Sequence, residues 1–377
     1  MSTTLQYVAT CLFGLEKTVG EEIDALGLKR TGTIDGRVYF SGNVSAAPRA
    51  NINLRTAERV LIELCRFKAQ TFTELFDGTK QVPWEVFIGK TDAFPVKGHS
   101  IKSALYSIPD CQSIIKKAVV ERLKQKYGIS WFEETGVKYQ IEFFILNDEV
   151  SLMIDTTGIP LHKRGYRTQN GGAPIRETLA AALVKLSRPR ENVRLWDPFC
   201  GSATIPIEAA LIMTNTAPGI NRHFAAETFP VFSKKLWISA RDEAKSLATP
   251  ETEFRAYASD IDAEVLKCAN ANIKRAGMEK YIKTFVKDAR KITSDGVRTT
   301  IVCNPPYGER LDSIREARQL YRELGKNFPS LSPWQIYIIT SEEEFEKLCG
   351  VRADKVRKLY NGMIKCNLYQ YFKRRDM

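Results

Sequence analysis

"VRLWDPFCGSATIPIEAALIM", Val193 to Met213, decides the fold. It starts as a short apolar run, breaks at Asp197-Pro198, turns through small residues around Gly201 and resumes as a helix former from Ile205. A strand passing through a glycine turn into a helix is the opening of a βα unit. Asp197 closes the strand, Gly201 permits a tight turn, and Ser202 and Ala203 are small enough for close backbone approach. A phosphate-binding turn of this kind carries more glycine or a lysine. An acid in its place favours a cationic or hydroxyl-rich ligand, although such a turn also occurs for purely structural reasons.

The same rhythm extends on both sides. "APIRETLAAALVKLS" reads as a helix before this unit, and "FRAYASD", "IKTFVKD", "TTIVCN" and "WQIYIITS" read as strands after it. The helices "AEVLKCANANIKRAG" and "IREARQLYRELGKNF" fall between them, which predicts a parallel α/β sheet. "KVRKLYNGMIKCNLYQYFK" reads instead as two strands joined tightly at Asn361-Gly362, an antiparallel hairpin closing the sheet. Thr214 to Pro250 fits no βα unit and reads as an insertion over the edge or mouth of the sheet.

Up to about residue 157 strands and helices come in mixed order, as in an α+β module. "RVYFSG" and "ERVLIELCRF" are strands, "LEKTVGEEIDALGL" is a helix stopping at Gly27, and "CQSIIKKAVVERLKQKYG" is a helix ending at Gly128. "KYQIEFFILNDEVSLMIDTTG" is read as two alternating runs about Asn147-Asp148, hence a hairpin. "GIPLHKRGYR" reads as a basic linker between domains.

The 377 residues suit two or three domains. No apolar run approaches the ~18 residues of a membrane span, and the N-terminus lacks a basic leader, so a cytoplasmic protein is expected. Eight scattered cysteines and three histidines offer no zinc spacing, so buried free thiols and no metal are expected. The net charge of +12 points to a polyanionic partner. Residues 1–165 hold 21 basic against 19 acidic side chains, so the excess lies in the C-terminal part.

Ligands of open α/β sheets bind beyond the carboxyl ends of the strands, and four such ends carry suggestive residues. Asp197 is the first. Asp260 in "ASDID" can accept both hydroxyls of a ribose or cap the next helix, a role that Asp262 fills better. Asp288 in "VKDAR" can accept from an adenine amino group or stand as a solvated loop acid. The fourth end is Asn304-Pro305-Pro306-Tyr307. The prolines hold Asn304 extended, its carboxamide oxygen and the Pro305 carbonyl can accept the two N–H bonds of an exocyclic amine, and Tyr307 can stack on a flat heterocycle.

The set "DPFCGSAT", "SDID", "KDA" and "NPPYGERL", in this order, resembles the S-adenosylmethionine-dependent class I methyltransferases that act on exocyclic base nitrogens. Asn170 to Met377 resembles, more closely, the RNA methylase family of guanine-N2 methyltransferases. The part with "FPVKGHSIKSAL" looks like a THUMP domain preceded by a ferredoxin-like element. The whole is similar to the N-terminal half of bacterial bifunctional 23S rRNA guanine-N2 methyltransferases, and to tRNA enzymes of the same build. The resemblance implies a ferredoxin-like element over 1–44, a THUMP domain over 45–157, a linker over 158–169 and a seven-stranded Rossmann-like methyltransferase domain over 170–377.

It also implies roles. Asp197, Phe199 and Gly201 would contact the methionine end of S-adenosylmethionine, Asp260 the ribose, Asp288 with Ala289 the adenine, and Asn304 to Tyr307 the reacting amine, with Ile261, Ala203 and Asn304 also among the cofactor-binding residues. Ala203 stands where the family usually has a second glycine, which alanine can replace if its φ stays negative. Lys97, Lys163, Arg164, Arg167 and Arg310 are candidate phosphate contacts, Arg310 followed by further arginines at 315, 318 and 322. The expected partner is structured RNA, rRNA before tRNA. Three rivals stay open: an adenine-N6 methyltransferase, a nicotinamide-dependent oxidoreductase, which lacks its G-x-G-x-x-G fingerprint, and a non-catalytic RNA-binding assembly factor.

Overall fold

A computed structural model describes residues 4–167, 175–307, 311–331 and 334–372. The chain forms two compact units whose segments interleave: 1–10, 20–161 and 221–243 make the first, and 11–19, 162–220 and 244–377 the second.

The first unit is α+β. Its elements are β1 (Leu5–Cys11), α1 (Glu16–Ala25), β2 (Lys29–Ile34), β3 (Arg37–Gly42), α2 (Ala46–Asn53), β4 (Ala57–Lys68), α3 (Phe72–Gln81), β5 (Val96–Ile101), α4 (Ile108–Tyr127), β6 (Ile141–Leu146) and β7 (Glu149–Asp155). The seven strands form one mixed sheet in the order β2-β3-β1-β4-β7-β6-β5. Gly128, at φ +67°, ends α4 in the left-handed conformation that glycine adopts without steric cost. Asn147 and Asp148 both take positive φ, so the β6–β7 turn is the kind whose twist matches its strands. Those strands do not alternate in burial as their sequence suggested: every residue from Ile141 to Ile145 is buried, because both faces of the sheet are covered.

The second unit holds α5 (Glu177–Ser187), β8 (Arg194–Asp197), α6 (Thr204–Met213), α7 (Lys234–Ser246, whose first ten residues belong to the first unit), β9 (Ala256–Asp260), α8 (Ala263–Ala276), β10 (Ile282–Val286), β11 (Thr299–Cys303), α9 (Leu311–Asn327), β12 (Gln335–Thr340), α10 (Phe345–Cys349), β13 (Lys355–Asn361) and β14 (Ile364–Tyr371). Its sheet runs β10-β9-β8-β11-β12-β14-β13. The first five strands are parallel, and β14 and β13 run antiparallel, as the terminal hairpin required. Asn361 pairs with Ile364, so Gly362 and Met363 form the turn, one residue later than the sequence suggested. The succession β8, β9, β10 moves one way across the sheet and β11, β12 the other. The crevice therefore opens between β8 and β11, where α/β sheets bind ligands.

Of the stretch expected to be an insertion over the edge or mouth of this sheet, residues 221–243 fold with the first unit. Phe229 stacks on Tyr139 at 4.2 Å, and the backbone N–H groups of Ala225 and Ala226 donate to the carbonyls of Thr157 and Thr156. Phe224, Phe229, Phe232 and Trp237 of this returning segment are buried core residues.

Candidate functional site

A cavity of about 530 Å³ lies at the carboxyl ends of β10, β9, β8 and β11. Asp197, Phe199, Gly201, Asp260, Ile261, Asp288, Ala289 and Asn304 all line it. Eight residues from four separate sequence segments thus converge on one space, of the size expected for a small-molecule site.

The turn after β8 is tied to β9. The Cys200 N–H donates to the Ser259 carbonyl (3.0 Å) and the Gly201 N–H to Asp260 Oδ2 (3.1 Å). Ala203 is buried and does not line the cavity; its φ is +63°, against the expected negative value. The turn needs a left-handed residue where α6 begins, and alanine supplies it at a steric cost of roughly 1 kcal/mol.

The three acids differ in state. Asp197 is 2% exposed and accepts one bond, from the Phe199 N–H at 3.1 Å. Burial, reinforced by the charge of Asp260, pushes its carboxyl up to about 8. Asp260 accepts from the N–H groups of Gly201 and Asp262, while Asp262 caps α8 through the Glu264 N–H (2.8 Å). Asp288 caps a short 3₁₀ turn and is gripped by the Arg290 guanidinium, which holds its carboxyl below the usual range. Arg290 also lines the cavity and reaches Glu323 at 3.3 Å. Its position two residues after an acid is the signal that the sequence offered for it.

At the fourth end, Asn304 and Pro306 line the cavity, whereas Pro305 and Tyr307 do not. The expected stacking role of Tyr307 is not seen. Its ring packs against the core, its hydroxyl donates to Asn304 Oδ1, and Cys366 Sγ lies 3.9 Å from that hydroxyl. Nor are both proline carbonyls free, since the Pro306 carbonyl accepts from Tyr321 on α9 (2.8 Å), itself hydrogen-bonded with Thr340 on β12 (3.0 Å). Tyr321 lies too far along the chain for any local motif to reveal it.

Two of the candidate phosphate contacts are buried structural residues. Arg164 is paired with Glu208 (3.4 Å), at side-chain exposures of 2% and 0%. Arg167 donates to the Ile175 carbonyl (3.0 Å), Thr204 Oγ1 (3.3 Å) and Glu177 (3.0 Å). Desolvation of a guanidinium is tolerable only with such partners, so neither side chain is available to RNA. Lys97 is half exposed and paired with Glu142 at 2.8 Å; Lys163 is exposed; Arg310 lies outside the described residues. The cysteines are free thiols, five of them buried. No helix among the described residues is long and apolar enough to cross a membrane.

The sheet order and a cavity over its switch point define a class: the Rossmann-like methyltransferases. Residues 164–370, more than half of the chain, match the family UPF0020, described as "RMKL-like, methyltransferase domain". Residues 6–61 match the RlmL ferredoxin-like domain and 69–155 the THUMP domain. YpsC of Bacillus subtilis (strain 168), provisionally named an RNA methyltransferase, is 45% identical over 97% of this chain and 95% of its own. The ribosomal RNA large subunit methyltransferase K/L of Psychromonas ingrahamii is 31% identical over 97% of this chain, which spans about half of that longer protein.

Among solved structures, a Listeria monocytogenes protein provisionally named an N6-adenine-specific DNA methylase is 45% identical, with TM-score 0.92 over 99% of this chain and 97% of its own. SMU.472, provisionally named a methyltransferase and solved with SAH, is 38% identical, with TM-score 0.92 over the whole of both chains. The chain belongs to the UPF0020 methyltransferase family and carries a ferredoxin-like element and a THUMP domain ahead of the catalytic unit.

Proposed function

We propose that this protein methylates the N2 amino group of a guanosine in structured RNA, with S-adenosylmethionine as donor and large-subunit rRNA as target. The observation that carries the reading is the convergence of Asp197, Asp260, Asp288 and Asn304 on one cavity at the switch point of the sheet. The donor set suits the cofactor. Asp197 is a buried acid without a cationic partner among the described residues, as an ammonium ligand requires; Asp260 keeps lone pairs for hydroxyls; exposed Ile261 offers an apolar face to a flat ring. S-adenosylmethionine supplies an electrophilic methyl group on a sulfonium.

The chain's own residues prepare the nucleophile. Asn304 is held extended by Pro305, and Tyr321 anchors the following carbonyl, so the tetrapeptide is stiff before substrate arrives. The amide oxygen of Asn304 accepts one N–H bond of the base amine, and the carbonyl of Pro305, which does not line the cavity before substrate arrives, turns to accept the other. That draws its lone pair out of conjugation with the ring. To reach Asn304 Oδ1 the amine takes the place of the Tyr307 hydroxyl. The amine attacks neutral and its proton leaves after transfer, so positioning rather than a strong base supplies the rate. A base in a helix cannot enter such a cavity without leaving its stack.

The RNA target is supported by the THUMP match and by the names of YpsC and the K/L relative; these also suit the cytoplasmic location expected from the sequence. The name of the Listeria protein favours a second reading, adenine N6, since an Asn-Pro-Pro-Tyr slot suits any exocyclic amine. The test is tritium transfer from labelled S-adenosylmethionine to RNA of a strain lacking the gene, followed by fractionation and nucleoside digestion. Label in N2-methylguanosine of the large rRNA is expected. Label in tRNA moves the target, and label in N6-methyladenosine overturns the base assignment.

A further inference from the structure

The terminal hairpin carries a surface that the cavity does not use. From Lys355 to Lys365 it holds four cations and no acid. Its inner face is core: Leu359, Cys366 and Leu368 are at most 1% exposed. Strand alternation sends Val356, Lys358 and Tyr360 to the other face, where Tyr360 is paired in register with Lys365. Phe13 meets the Tyr360 ring edge-on at 5.7 Å, and Lys358 Nζ lies 5.4 Å from the same ring.

Lysines on an edge strand commonly guard against strand pairing. That role does not explain the apolar groups beside them: Met363 at the turn is 98% exposed and Phe13, against Tyr360, 50%. Cations interleaved with an aromatic and flat apolar groups make a platform for unpaired bases on a polyanionic backbone. The place fits as well. The turn lies at the carboxyl end of the parallel strands, the end at which the cavity opens, although Cys366, which meets Tyr307 of the catalytic motif, points to the opposite face of the hairpin.

We infer that the outer face of this hairpin binds the unpaired RNA flanking the target nucleotide, stacking a base on Tyr360 and Met363 and holding phosphates with Lys358 and Lys365. The inference rests on the RNA reading above. Lys365 is already paired with Glu343 at 2.7 Å, but both side chains are at least half exposed, and such pairs exchange partners readily.

The test is binding of fluorescein-labelled dodecauridine by the full chain, with methylation of total RNA from a strain lacking the gene measured in parallel. Two variants are compared: Met363→Ser, at a site too exposed to affect folding, and the double change Lys358→Glu with Tyr360→Ala. The double variant is expected to raise the Kd for dodecauridine and the KM for RNA about tenfold. It should also flatten the salt dependence of binding, with S-adenosylmethionine affinity unchanged. Met363→Ser should give a smaller effect of the same kind.

Wild-type methylation of RNA with both variants within twofold of wild type overturns the inference alone. Binding that falls as expected while the wild type methylates no RNA leaves the surface standing and overturns the catalytic reading. A wild-type oligomer that dissociates in the variants, with RNA binding intact, assigns the surface to a protein partner and overturns the inference.

Discussion

The segment from His162 to Arg167 and the hairpin from Lys355 to Lys365 are both basic in sequence and belong to the same unit. In the first, Arg164 and Arg167 turn inward to Glu208 and Glu177 and brace the start of α6, whose Thr204 lines the cavity. In the second, Lys358 and Lys365 stand on the exposed outer face, with Met363 at the turn between their strands. Charge along the chain therefore did not report which cations meet solvent. The difference is made by acids ten and 44 residues away, on helices that fold over one segment and not over the other.

Substitutions can break that contrast. The largest effect is expected from Arg164→Ala, which leaves Glu208 buried without its cation though still bonded to the Tyr166 hydroxyl, and should cost about 3–5 kcal/mol in denaturant unfolding. A near-neutral result together with weaker RNA binding would restore Arg164 as a phosphate contact. Asp197 sharpens the contrast, being a buried acid with no cation beside it among the described residues. Its folded pKa lies above the unfolded one, so the free protein should lose stability as pH rises from about 4 through 8. A cationic ligand favours the ionised form. Cofactor affinity should therefore fall about tenfold per pH unit below 8, and Asp197→Asn should abolish that slope in calorimetric titrations.

Ala203→Gly should stabilise the protein by roughly 1 kcal/mol, since glycine meets no penalty at φ +63°; a loss of stability would mean that the methyl group packs usefully. The smallest effect is expected from Lys358→Ala, which should leave the melting temperature unchanged while weakening RNA binding.

The strand ends were legible because each follows a short apolar run and because acids, glycine and prolines punctuate them. The parallel sheet and its closing hairpin were legible by the same rhythm. What the sequence hid are relations between distant residues. The packing of the Tyr307 ring against the core depends on Asn304 and on Cys366, 59 residues further on. The anchoring of Pro306 by Tyr321 depends on the placement of α9, and the return of residues 221–243 to the first unit depends on Tyr139 and Thr157. Such contacts follow from packing, which no local pattern encodes.

The central claim is that Asn304 presents an amine for methyl transfer in this cavity. Its most direct test is single-turnover methylation of RNA by Asn304→Ala, with S-adenosylmethionine affinity measured on the same protein. The account predicts a rate at least about a thousandfold lower, with cofactor affinity changed only a fewfold. A variant that binds cofactor and still transfers methyl at near the wild-type rate would contradict it.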